Sequence, residues 1–159
     1  MSPRYFADAA LCLSAISLAS CGQSEQEVPA DPEAVEGLSI ENTRMILPAV
    51  SGNPAAVYFD LSYEGDGNPT LAAVAVEGAA MTMMHEYGEK DFKVQMIEME
   101  PLELTKGVAV AFEPGGRHVM AMDVSSELSA GGKTEVTFIM ASGDKTTVVA
   151  DIVGAGEER

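Results

Sequence analysis

The sequence predicts an all-β domain, a sandwich or barrel with Greek-key connections, and three observations predict it. Apolar residues recur with period two in short runs, glycine-rich clusters separate those runs, and no capped amphipathic stretch is long enough for a solid helix. Val57, Phe59, Leu61 and Tyr63 fall on one face of a strand, with Tyr58, Asp60 and Ser62 on the other. Val108, Val110 and Phe112 repeat the arrangement, as do Val136, Phe138 and Met140. Turn chemistry stands between the runs at Gly65-Asp66-Gly67-Asn68, Pro114-Gly115-Gly116, Gly131-Gly132 and Ser142-Gly143-Asp144. The expected strands are 38–46, 55–63, 71–77, 81–86, 92–98, 108–113, 117–124, 134–140 and 146–153.

A chain of 159 residues supports one domain with a real core and not two. The first twenty residues read as an address. Arg4 precedes an apolar, small-residue stretch from Ala9 to Ala19, of signal-peptide length and too short to span a bilayer. It ends in Leu18-Ala19-Ser20-Cys21, which resembles the bacterial lipobox whose cysteine is lipidated; the alternative is an ordinary secretory peptide with an incidental cysteine. Residues 21–36 are acidic, contain proline and lack apolar periodicity, so they read as a tether. The expected organisation is a signal peptide over 1–20, a tether over 21–36, a domain over 37–154 and a tail over 155–159. The expected location is the periplasmic side of a bacterial envelope, with the membrane touched only through the lipid on Cys21. Which of the two membranes holds the anchor is left open.

A net charge of −16 argues against phosphate-backbone binding, so no nucleic-acid partner is expected. Cys12 and Cys21 are the only cysteines, and both precede the domain. A thiolate zinc site, a C-x-x-C redox pair and a blue-copper centre are therefore excluded from it. Any soft metal would have to be held by imidazole and thioether.

Those donors are concentrated. Seven of the ten methionines and both histidines lie between residues 81 and 122. His118 and Met120 are two apart on an expected strand, so they project side by side just after the Pro114-Gly115-Gly116 turn. Two imidazoles and two thioethers form a neutral, soft set that favours Cu(I) over a hard dication. The remaining Met81, Met83, Met84, Met99 and Met122 admit two readings, outer sulfurs for copper hand-over or core packing, and packing is favoured. Arg117 and Glu86, which flank histidines, admit a role in orienting an imidazole or meeting a partner, and a solvated surface role is favoured.

The chain resembles the PCuAC family of periplasmic copper chaperones. That family's motif runs His, ten residues, Met, twenty-one residues, His, one residue, Met, and here His85, Met96, His118 and Met120 reproduce every interval. Ala55-Ala56-Val57-Tyr58-Phe59, Met84-His85-Glu86 and Glu113-Pro114-Gly115-Gly116-Arg117-His118-Val119-Met120 also look familial, and the resemblance covers roughly 37–153. It implies a cupredoxin-like Greek-key β-sandwich, Cu(I) as cargo, and a copper-receiving partner such as the Cu(A) domain of cytochrome c oxidase or another copper chaperone. The chain ends Gly154-Ala155-Gly156-Glu157-Glu158-Arg159, without the His- and Met-rich tail of some members, so no second site is expected there. Competing readings are a copper buffer or resistance protein, a metal-free binding lipoprotein, and an enzyme. The last is set aside because no nucleophile-elbow motif accompanies the histidines.

Overall fold

Alternation in the sequence becomes alternation in burial. The computed structural model describes residues 34–157 apart from Asp91. The expected signal peptide, the expected anchor at Cys21 and most of the expected tether lie outside the described residues. Every regular element among these is a strand: β1 (Leu38–Ile46), β2 (Ala55–Tyr63), β3 (Thr70–Val76), β4 (Ala79–Lys90), β5 (Lys93–Glu98), β6 (Leu102–Glu103), β7 (Val108–Phe112), β8 (His118–Val124), β9 (Lys133–Met140) and β10 (Lys145–Val153). In β2 all five of Ala55, Val57, Phe59, Leu61 and Tyr63 are buried, and in β9 Val136, Phe138 and Met140 are. Each large apolar side chain so removed from water contributes about 2 kcal/mol.

The strands run in the order β5-β4-β8-β2-β1-β10-β9-β3-β6, with β7 paired to β2. Many neighbours are far apart in sequence, as Greek-key crossovers require; β1 and β10 pair in parallel and the other pairs are antiparallel. The sheet folds over on itself. Phe59 of β2 stacks on Phe112 of β7 at 4.2 Å and meets the edge of Phe138 at 4.8 Å, although β9 is not its sheet neighbour. This T-shaped contact spans the core between the two layers. The chain changes layers between β3 and β4 at Glu77-Gly78, where Gly78 takes φ +78°, a conformation that glycine adopts without penalty. The Thr82 hydroxyl then donates to the Val74 carbonyl, tying β4 to β3.

Eight of the nine expected strands match observed ones within a residue or two at their ends. The exception is 81–86, which widens to Ala79–Lys90, because Gly88 continues the strand instead of ending it. A Cβ at Gly88 would lie 2.4 Å from Ile97 Cδ1, so the glycine makes room for its neighbour on β5. Strand β6 was not expected; two residues carry no readable period.

One local feature positions the site. β7 and β8 lie end to end along β2, with Phe59 opposite Phe112 and Val57 opposite Val119. Residues 113–117 therefore loop out opposite Tyr58, and His118 is the first residue back in the sheet.

Candidate metal centre

Strand β4 runs between β5 and β8. Across β4 and β8, His85 opposes His118, Met83 opposes Met120 and Met81 opposes Met122. Across β4 and β5, Tyr87 opposes Met96 and His85 opposes Glu98. Opposed residues in an antiparallel pair share a face, so all these side chains stand on one side of the sheet. It is the outer side: the intervening Met84, Val119 and Ala121 are buried in the core. The four residues picked out by spacing are thus brought to one face, two as a direct pair and two diagonal to it.

The imidazoles of His85 and His118 lie 5.9 Å apart between centroids, with ring planes 27° from parallel. His118 is buried, and its Nδ1 stands 3.0 Å from the Gly116 carbonyl. A carbonyl only accepts, so Nδ1 carries the proton and Nε2 keeps its lone pair for a metal. The turn at 114–116 supplies this contact, and Gly115 within it has φ +80°. His85 is half-buried and its Nδ1 is shut off from water without a hydrogen-bond partner among the described residues. An orphaned ring nitrogen of this kind is costly unless something binds it.

Burial lowers the pKa of His85 below the ordinary value of 6.5, and the neighbouring His118 lowers it further. Glu98 and the Met83 main chain oppose the shift, although neither gives Nδ1 a well-formed hydrogen bond. The net result favours the neutral imidazole, the form that ligates.

A shallow cavity of about 380 Å³ opens beside the pair, lined in part by Tyr58, Tyr87, Met96, Gly115, His118 and Met120. Three of the four expected ligands therefore share a solvent-facing hollow. His85 is not in its lining and meets the group from the side of the His118 ring. Met96 is 44% exposed, so a sulfur stands where an incoming ion or partner could touch it. Among the described residues no group of three or more His, Cys, Asp or Glu is placed to hold a metal.

Beside the pair, Arg117, the residue before β8, places its Nε 3.3 Å from Glu86 Oε2 of β4. The two residues read as solvated surface form an ion pair with each other. Such a half-exposed pair adds little stability, but it pins β4 against β8 at the histidine rung. Sequence reasoning missed Tyr87, whose ring lies 6.3 Å from that of His118, and Glu98 beside His85. Tyr87 follows His85 by two residues, so strand alternation could have found it. The role of the Gly116 carbonyl had no such signal.

The all-β fold is one this chain shares with PCuAC domains. The copper-bound PCuAC domain from PmoF2 superposes with a TM-score of 0.62 at 21% identity, over 76% of this chain and 96% of that one. The solution structure of CuI-DR1885 from Deinococcus radiodurans gives 0.51 at 20% identity, over 86% and 89%. At these identities the likeness is one of fold, and the resemblance seen in the sequence holds at that level. By sequence, residues 38–152 match the family described as "Putative lipoprotein LpqE-like", and the chain belongs to that family. A relative from Leifsonia xyli subsp. xyli, "Putative lipoprotein Lxx21020", is 25% identical over 122 residues, 74% of either chain.

Proposed function

We propose that this protein is a Cu(I) carrier of the bacterial cell envelope, holding one tightly bound ion with His85, Met96, His118 and Met120. The observation that carries the reading is the His85–His118 pair. One imidazole is oriented by a backbone carbonyl, the other keeps an unpartnered nitrogen, and thioethers flank both. The set is neutral and soft, which suits a monovalent ion. The printed descriptions of the fold neighbours, a copper-bound PCuAC domain and a CuI-loaded DR1885, support copper as the cargo. Lipidation at Cys21 would tether the domain on the periplasmic side, and the description of its family supports a lipoprotein.

Release by ligand exchange follows from exposure. Met96 on the edge strand β5 can leave the ion first, opening a coordination position to an incoming donor while the better-buried His118 holds on. The recipient is a copper-accepting protein, such as a Cu(A) domain of cytochrome c oxidase or another chaperone. Nothing in this arrangement calls for turnover of a substrate, so we read the domain as a carrier and not an enzyme.

The test is a Cu(I) titration under reducing conditions against a competing chelator. One tight equivalent is expected, and a His118→Ala plus Met120→Ala variant should lose it. Unchanged tight binding in that variant would remove the assignment. Incubating the loaded protein with an apo Cu(A) domain then separates delivery from buffering: delivery gives transfer, and buffering gives retention.

A further inference from the structure

The nine methionines of the described region fall into two populations. Met45, Met84, Met99 and Met140 are in the core. Met81, Met83, Met96, Met120 and Met122 share the outer face of β4, β5 and β8. Met81 is 50% exposed and Met83 is 36% exposed, so neither is explained by packing. Single apolar residues on a surface need no explanation, but a contiguous group of one residue type does.

The register gives that group a shape. His85/His118, Met83/Met120 and Met81/Met122 are three successive rungs of one antiparallel ladder, all projecting the same way. Opposed Cβ atoms in such rungs are about 5 Å apart. Successive rungs are about 7 Å apart along the strands. Methionine has three side-chain torsions with which to close such gaps, and its sulfur is a soft donor. Met120 belongs to the histidine site, which leaves Met81, Met83 and Met122 as three thioethers beyond it.

We propose that Met81, Met83 and Met122 form a second, weaker Cu(I) site, one step along the ladder from the histidine site. The inference rests on the proposed copper reading of His85, Met96, His118 and Met120, and it adds a staging position through which the ion reaches or leaves that set. Three neutral sulfurs can supply trigonal coordination to a monovalent soft ion. Met120 lies between the two positions, so its sulfur can stay bound while the ion moves from one to the other. The transfer is a ligand exchange in which copper stays Cu(I) and no proton or electron is consumed.

The experiment is a titration of the full chain with Cu(I) under reducing conditions, followed through the methionine methyl resonances. A second equivalent should bind more weakly than the first and shift the methyl signals of Met81, Met83 and Met122. A Met81→Leu, Met83→Leu, Met122→Leu variant keeps the face apolar and should lose the weak equivalent while the tight one binds as before. A His85→Ala plus His118→Ala variant should show the converse, losing the tight equivalent and keeping the shifts at the three methionines. A wild-type chain that stops at one equivalent, or a leucine variant that still takes two, would overturn this inference and leave the histidine site standing. Absence of Cu(I) binding in every variant and in wild type would instead remove the copper reading on which both sites rest.

Discussion

Strands β4 and β8 have two faces made from nearly the same kinds of residue, and they do different work. The inner face presents Met84, Val119 and Ala121 to the core, all of them buried. The outer face presents Met81, Met83, His85, His118, Met120 and Met122. Met83 and Met84 are adjacent in sequence, yet one is a partly solvated sulfur and the other a core filler. Because strand side chains alternate, function and stability are separated by one residue rather than by one domain. The separation leaves its mark on the outer face as an unpartnered His85 nitrogen and as apolar sulfurs kept in contact with water.

Substitution on each face should break this comparison if it is wrong. Met84→Ala removes a buried side chain and should cost about 2–5 kcal/mol in denaturant unfolding. Met83→Ala, one residue away, should change stability by no more than about 0.5 kcal/mol. Equal losses at the two positions would show that the outer methionines are packing after all.

His85→Leu sharpens the contrast from the other side. It removes an orphaned ring nitrogen, so apo-protein stability should stay level or rise, whereas Cu(I) affinity should fall by more than about 100-fold. Competition with a Cu(I) chelator and thermal unfolding of the same sample read both quantities.

The smallest effect concerns pH. The folded-state pKa of His85 lies below its unfolded value near 6.5, so the unfolded chain binds more protons in the interval between them. The apo protein should therefore have its full stability above pH 6.5. It should lose stability as the pH falls from there through the depressed value, and His85→Leu should flatten that decline. Urea unfolding at a series of pH values checks the slope.

Much of this was legible in the sequence, for a physical reason. Half-buried strands such as β2 must alternate, and Val57, Phe59, Leu61 and Tyr63 did so plainly. That His118 and Met120 share one face of β8 could be read in the same way. The spacing of His85, Met96, His118 and Met120 reflected a sheet register, and the structure gathers these residues on one outer face. What could not be read depends on contacts between distant segments. The extension of β4 past residue 86 depends on Ile97 of β5 fitting against Gly88. Arg117 and Glu86 read as solvated surface in the sequence, and only the fold brings them to 3.3 Å from each other. For Met81 and Met83 the sequence admits both packing and outer sulfurs and favours packing, since exposure depends on which side the second layer covers, and no local pattern states that. Leu102–Glu103 was too short to show a period at all.

X-ray absorption at the copper edge, on the chain loaded with one equivalent of Cu(I), tests the central claim most directly. The account predicts a mixed shell with imidazole nitrogen scattering from two histidines and sulfur scattering from two thioethers. The sulfur contribution should be lost when Met96 and Met120 are both changed to leucine. A shell of nitrogen and oxygen alone, or one untouched by those substitutions, would contradict it.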